Sequence, residues 1–586
     1  MSDMDLVVEI CGSAGEGTIS AGEILSRFMS EEGYDIMSFD SYPAEIRGFG
    51  KCVAHTRIGR GEVLTPGKYS DVLIALNDIH AIGQLPVLKE KGILIYDNKP
   101  PKYHLEDQSV VGWLEPGMIP YGIPLTELSI KASGNSKARN MVALGAFSAL
   151  FGIDKISFIE SVKRRYGKKK QDIIDSNVNS FLEGFTWTLE HVRKIDPFRF
   201  DGTGAAVKRD QLIINGNEAT AKGALAAGLH LYAGYPITPA TKIMEIMSKE
   251  LPKKGGIFLQ TEDEISSIAH VIGAGYAGKR AMTGTSGPGF CLMSEFTGLA
   301  VMAEVPAVIV DSQRGGPSTG MPTKHEQSDL NIALNGGSGD CPRVVIAPTQ
   351  VDECYQAAVL ALYIAEKYQT LVILLLDFFL SNSIKNMDHP SPPDTKYLNA
   401  HVLPDDGDLP DFKRYKITDN GISPRTIPGK TGGMFFATGL EHDERGKPVY
   451  DTKSHTLMTE KRHRKHAGIA AEMIAPHITG CEGAVDIGVV SWGSSAGAAR
   501  EAVAHATVKG IKAACFSTQF ISPFPEQALR DFSKRCKKIL VPEMNYSGQF
   551  ANMIARYMER PMERLNMVTG LPMASEDILK KIEEIA

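Results

Sequence analysis

The chain has 586 residues, the length of about four domains or three large ones. Hydrophobic residues make up 43% and charged residues 23%, a balance that excludes a disordered or collagen-like protein. Its 63 basic and 69 acidic side chains leave a formal charge of −6, so no global electrostatic case for a nucleic-acid partner exists.

The opening segment, MSDMDLVVEICGSAGEG, has no basic n-region and only a short apolar run. A cytoplasmic protein without a membrane anchor is therefore expected. A first block, residues 1–195, starts with a strand at Leu6–Ile10, a Gly-rich turn and a helix around Ile19–Met29. Further strands are expected at Val72–Ala75 and Ile93–Tyr96, and the alternation predicts a parallel sheet. The turn carries Gly12, Gly15 and Gly17 in the order GxxGxG. Backbone amides there suit a phosphate, but the dinucleotide fingerprint GxGxxG is not met, which argues against a nicotinamide-dependent dehydrogenase. The basic run Lys163–Lys170 reads as a solvated face, and residues 196–210 read as a polar linker.

A second block, residues 211–385, shows the strongest strand–helix alternation and ends in the apolar strand Thr370–Asp377. The longest apolar stretch, Leu371–Leu380, is broken by Asp377 and is too short to span a bilayer. Residues 386–468 are rich in Pro, Gly and Asp and read as an extended connector, closing on the basic cluster Lys461–Lys465. A third block, residues 469–586, has strands at Ile487–Ser491 and Lys538–Val541. The fold class is α/β, with three α/β domains.

The second block carries the chemistry. In Tyr235-Pro236-Ile237-Thr238-Pro239, Thr238 reads as a helix N-cap and Pro239 as the first helical residue. Such a helix start could face an anionic substrate. A strand at Ile257–Gln260 leads into Thr261-Glu262-Asp263-Glu264, and Gly273 follows Glu264 by nine residues. Thr283-Gly284-Thr285-Ser286-Gly287-Pro288-Gly289 comes next, then a strand at Ala307–Asp311. Arg314 sits in the Gly-rich loop after that strand, with Thr319 close by, and an arginine can grip a carboxylate through two parallel N–H bonds. His325 is a conceivable site residue, while His270 reads as a core histidine. His442, His463 and His466 lack metal-ligand spacing, so no metal is assigned to this chain. None of the eight cysteines lies within three residues of another, so no local iron–sulfur or zinc site can be assembled.

The strand, the glutamate at a helix start, the glycine nine residues on and the T-x-G-P-G turn together resemble the pyrimidine-binding domain of thiamine diphosphate enzymes. With GNEATAKGALAAG, YPITPAT and QRGGPSTGMPTKHEQSDL, the chain resembles the α subunit of 2-oxoacid:ferredoxin oxidoreductases, most closely the 2-oxoglutarate type. The first block resembles their γ domain, fused in front of α. Ser41–Gly50 fits that pattern, with Phe49 interrupting the glycines. VPEMNYSGQF, Val541–Phe550, resembles their transketolase C-terminal-like domain.

The resemblance implies that Glu264, with Glu262 as the fallback, bonds N1′ of the thiamine aminopyrimidine beside Gly287, Pro288 and Gly289. It implies that Tyr235, Pro236, Ile237, Thr238, Arg314 and Thr319 border the 2-oxoacid. Coenzyme A is expected at either Gly12, Gly15 and Gly17 or the loop of Gly493 and Ser494. No GDG motif for Mg²⁺ and the diphosphate occurs in the sequence. A β subunit carrying that half-site and a [4Fe–4S] cluster is therefore expected, in an (αβ)2 assembly that reduces ferredoxin. The expected reaction is CoA-dependent oxidative decarboxylation of 2-oxoglutarate, or its reverse. Pyruvate or a branched-chain 2-oxoacid is the rival substrate, and a non-catalytic scaffold or CoA-binding subunit is the rival role.

Overall fold

The computed structural model describes residues 5–42, 50–99, 109–200, 209–400 and 406–586. Most of the Ser41–Gly50 motif, residues 43–49, lies outside them. Two compact units emerge: residues 1–214 with 383–389, and residues 215–382 with 390–586.

The first unit is built on an eight-stranded sheet, in the order Ile119–Ile123, Leu88–Asp97, Ser70–Ala75, Asp5–Ser13, Lys51–Gly59, Asp35–Ser41, Ile384–Asp388 and Gln211–Asn215. The expected parallel sheet is half of it. Asp5–Ser13, Ser70–Ala75, Leu88–Asp97 and Ile119–Ile123 pair in parallel. Lys51–Gly59, however, pairs antiparallel with both Asp5–Ser13 and Asp35–Ser41. The segment between Asp35–Ser41 and Lys51–Gly59 is too short to carry a crossover helix, which is why that pair is antiparallel. Two strands not expected from sequence, Gln211–Asn215 and Ile384–Asp388 at the ends of the segment read as the second block, complete this sheet instead. Lys163–Lys170 is solvent-facing throughout its charged residues, as expected.

The second unit holds two sheets over one continuous core that includes Ile268, Phe290, Ile309, Trp492, Phe516 and Phe550. A seven-stranded sheet runs Phe520–Ser522, Val344–Ile346, Leu371–Asp377, Ala307–Gln313, Ala281–Thr285, Leu231–Gly234 and Ile257–Gln260. All its pairs are parallel except that of Phe520–Ser522, a strand lent by the third block. Leu371–Asp377 is buried at every position between two parallel neighbours, which its unbroken apolar run demands. A five-stranded sheet runs His477–Gly480, Ala513–Thr518, Val485–Trp492, Cys536–Glu543 and Glu563–Asn566. The loops after Leu231–Gly234, Ala281–Thr285 and Ala307–Gln313 leave the carboxyl ends of parallel strands, where open α/β sheets place ligands.

Candidate active site

The loops after Ala281–Thr285, Ala307–Gln313 and Cys536–Glu543 line a cavity of about 740 Å³ in the second unit, whereas Tyr235, Pro236, Ile237, Thr238 and Glu264 are not among its lining residues. Gly287, Pro288 and Arg314 line it, together with Glu326, Asp329, Asn545 and Gln549.

Glu264 opens the helix Glu264–Tyr276, and the Asp263 side chain caps that helix by accepting from the Ser266 amide at 2.7 Å. An acid in the first turn suits the helix dipole. Glu264 is buried whereas Glu262 is exposed, so Glu264 alone can act in a water-poor setting. A Cβ built on Gly289 would lie 2.4 Å from a Glu264 carboxyl oxygen, so this glycine lets the carboxyl pack onto the Gly287-Pro288-Gly289 backbone. Gly287 does the same for Asp329, whose two carboxyl oxygens would each lie 2.7 Å from such a Cβ.

Arg314 is buried and donates from an Nη to the Thr238 carbonyl at 2.6 Å, while its Nε has no partner. The loop Tyr235–Pro239 therefore orients the guanidinium with its backbone. The expected cap is corrected: the helix runs Thr241–Glu250, with Ala240 at the N-cap position and no side-chain cap. The reason is that the Thr238 carbonyl serves Arg314 and the Pro239 carbonyl accepts from Asn217 at 2.9 Å, so neither residue joins the helix. Tyr235, Pro236 and Thr238 are exposed and Ile237 is half-buried. Thr319 is exposed and absent from the cavity lining, where Ser318 and Pro317 stand instead.

Several expectations fall elsewhere. The Ser494 amide donates to a buried Asp377 oxygen at 3.1 Å, and Gly493 packs against the Gln327 side chain. In the first unit the Ser13 amide of the Gly12–Gly17 turn donates to Glu16 at 2.6 Å, and Arg139 pairs with the same carboxylate. That turn thus binds an anion of its own. His325 is fully buried, its Nδ1 accepting from the Phe379 amide at 3.3 Å, and burial lowers its pKa. His270 is exposed, not a core residue, because the helix buries Ile268, Val271 and Ile272 on another face.

Sequence reasoning missed Asn545 and Gln549, which join the two sheets at the cavity, and Glu543, which holds their loop. Glu543 is buried and accepts from the Phe550 and Ala551 amides at 2.7 and 2.9 Å. Asn545 accepts from the Gly548 and Gln549 amides and donates to the Gln327 carbonyl. Gln549 donates to the Ser328 carbonyl and accepts from the Asn331 amide. Their only signal was the polar string Glu543-Met544-Asn545-Tyr546-Ser547-Gly548-Gln549 directly after an apolar strand.

Comparison with known proteins places the whole chain. Residues 222–461 match the family model described as pyruvate flavodoxin/ferredoxin oxidoreductase, thiamine diphosphate-binding. Residues 7–187 match pyruvate ferredoxin/flavodoxin oxidoreductase, and residues 485–578 match core domain II of pyruvate:ferredoxin oxidoreductase. The 2-oxoglutarate oxidoreductase subunit KorA of Mycobacterium tuberculosis is 32% identical over 98% of this chain and 90% of its own. The 2-oxoglutarate synthase subunit KorA of Methanocaldococcus jannaschii is 37% identical over 60% of this chain and 92% of its own. A solved 2-oxoglutarate:ferredoxin oxidoreductase from Magnetococcus marinus, with 2-oxoglutarate, coenzyme A and succinyl-CoA bound, is 36% identical. It covers 99% of each chain with a TM-score of 0.92.

Proposed function

Because this chain belongs to the 2-oxoacid:ferredoxin oxidoreductase family, we propose that it is the γ-fused α subunit of an enzyme that oxidatively decarboxylates 2-oxoglutarate with coenzyme A. The products are succinyl-CoA and CO2, with two electrons passing to ferredoxin. The observation that carries this reading is the buried Glu264 carboxyl packed on the Gly287-Pro288-Gly289 turn beside the Arg314 cavity.

The residues present fit one half of thiamine diphosphate. Glu264 supplies a buried carboxyl, and the two glycines of the turn leave room that a Cβ would fill. When bound, the cofactor supplies a nucleophilic carbon and an electron sink for decarboxylation. Glu264 would hold the aminopyrimidine through a charge-assisted hydrogen bond to N1′ and exchange a proton there, a role in which low local dielectric strengthens the bond. Arg314, oriented by the Thr238 carbonyl, would grip the substrate carboxylate. No group of three metal-ligating side chains occurs among the described residues, and no GDG motif occurs in the sequence. We therefore assign the Mg²⁺–diphosphate half-site and the [4Fe–4S] cluster to a β subunit in a cytoplasmic (αβ)2 assembly. No helix among the described residues is long and apolar enough to cross a membrane.

The test is anaerobic reduction of a low-potential viologen by the complex as it co-purifies. It is run with 2-oxoglutarate, pyruvate or 2-oxoisovalerate, each with and without CoA. CoA-dependent reduction by 2-oxoglutarate is expected, falling by about 10²–10⁴-fold in Glu264→Gln. Preferential reduction by another acid reassigns the substrate. No reduction by any acid, from a complex holding thiamine diphosphate and its cluster, overturns the catalytic reading.

A further inference from the structure

Two carboxyls flank the Gly287-Pro288-Gly289 turn, the buried Glu264 at Gly289 and the half-buried Asp329 at Gly287. Asp329 lines the same cavity as Arg314. Its Oδ2 is buried without a partner, and so is the Arg314 Nε. No hydrogen bond or ion pair joins the two side chains among the described residues, so each keeps hydrogen-bonding capacity in reserve. The position of Asp329 is fixed through its backbone, whose amide donates to the Gln313 side chain at 3.0 Å.

Four groups face this carboxyl. Asp311 comes from the strand beneath and has two buried oxygens without partners. Arg314 follows that strand, Glu326 comes from the same loop as Asp329, and the Cys291 thiol comes from the helix Gly287–Leu292. Glu326 is itself engaged, accepting from the Ser328 hydroxyl at 3.0 Å. Burial raises the Asp329 carboxyl to about 7, with Glu326 adding to the rise and Arg314 opposing it. Burial and the neighbouring Asp329 raise Asp311 well above the usual carboxylate range. Two desolvated acids that sense each other retain a proton between them near neutrality.

We propose that Asp329 is a further substrate-binding residue that acts as a neutral acid, its O–H donating to a carboxylate oxygen of the 2-oxoacid held by Arg314. This rests on the cavity being the 2-oxoacid site. An ionised Asp329 would set its charge against the substrate carboxylate, so binding and protonation are linked. Above the acid's own titration range, binding takes up a proton, and affinity falls by up to about tenfold per pH unit.

The experiment is anaerobic calorimetric titration of the intact complex with 2-hydroxyglutarate, which keeps both carboxylates but has no keto carbon to be decarboxylated, between about pH 6 and 9, in buffers of different ionisation enthalpy. The wild type is expected to take up nearly one proton per site at about pH 8, with Kd rising across that range. Asp329→Asn keeps a donor, so it should bind within about threefold of wild type at about pH 6 and take up clearly less than the wild-type proton count at about pH 8, any remainder coming from Asp311. A purely structural role for Asp329 would shift affinity without moving that proton count. Proton uptake unchanged in Asp329→Asn overturns the proposal. So does wild-type binding without uptake, a result that does not depend on the variant folding. Failure to bind or turn over any 2-oxoacid overturns the underlying function instead.

Discussion

A Cβ placed on Gly289 would lie 2.3 Å from the Thr285 hydroxyl oxygen and 2.4 Å from the Glu264 carboxyl. Both neighbours are buried, so Gly289→Ala must push Glu264 off its seat or deform the turn. Overpacking of this kind costs about 1–3 kcal/mol. Viologen reduction measured beside thermal melting should show activity lost by about 10²-fold for that modest loss of stability. Turnover near the wild-type rate would mean that the Glu264 position is not critical. His55 in the first unit makes a different kind of demand. Its Nδ1 is 2.8 Å from a Glu9 carboxyl oxygen and its Nε2 is 2.6 Å from the Pro66 carbonyl. A carbonyl only accepts and a carboxylate only accepts, so both ring nitrogens carry protons. Burial opposes that charge, but Glu9 and the Pro66 carbonyl outweigh it and raise the pKa above its ordinary value. The stabilisation is therefore complete below the unfolded value of about 6.5 and is lost as pH rises through the raised folded value. His55→Gln is expected to cost about 1–3 kcal/mol at about pH 6. Denaturant titrations at increasing pH should show that difference narrowing, and a difference that widened would refute the imidazolium assignment.

The helix Thr452–Ala470 occupies the end of the segment whose composition suggested an extended connector. Its buried positions are Met458, Lys461, Arg462, Lys465 and Ile469, so the face turned inward is largely cationic. Period-based reading finds helices by apolar stripes and passes over one whose stripe is charged. Lys461 and Lys465 both pair with the fully buried Glu304 at 2.6 Å, and Arg414 donates to the Glu304 backbone carbonyl. Burial lowers Lys465 to about 7, and Glu304 holds back part of that fall. Removing the one carboxylate leaves buried cations without a counter-charge, so Glu304→Gln is expected to destabilise the second unit by about 3–5 kcal/mol. Lys465→Met removes a surplus cation and should cost clearly less, an ordering that melting curves of the two variants would check. The same logic says what was legible in the sequence. Leu371–Asp377 and Glu264 declared themselves because an apolar run or an acid at a helix start has a local cause. Asn545 and Gln549 did not, because their roles depend on partners brought together from the ends of two different sheets, and Asp329 did not, because Asp311 and Gln313 reach it from a strand more than ten residues earlier. Thr238 misled for the opposite reason: its cap potential was real, but Arg314 claimed its carbonyl from 76 residues away.

At the scale of the whole molecule, the two units are interleaved along the chain. Ser383–His389 belongs to the unit otherwise made of residues 1–214. Asn386 is the anchor: its Oδ1 accepts from the Ile36 amide at 2.9 Å, and its Nδ2 donates to the Tyr34 carbonyl at 3.0 Å and to Gln211 at 2.7 Å. Asn386→Ala strips a buried backbone amide and carbonyl of their partner, at a cost of about 1–3 kcal/mol. Hydrogen exchange should report that loss in Asp35–Ser41 and leave the Glu264 helix, in the other unit, protected as before. Equal loosening of both units would show that they unfold as one. The interleaving also sets a timetable for the chain on the ribosome. Strand Asp35–Ser41 emerges early, yet its outer neighbour, Ile384–Asp388, follows the end of the first unit's main segment by roughly 170 residues. At about 5–20 residues per second that is a wait of roughly ten to thirty seconds, during which a nascent sheet presents an unpaired edge to every other chain nearby.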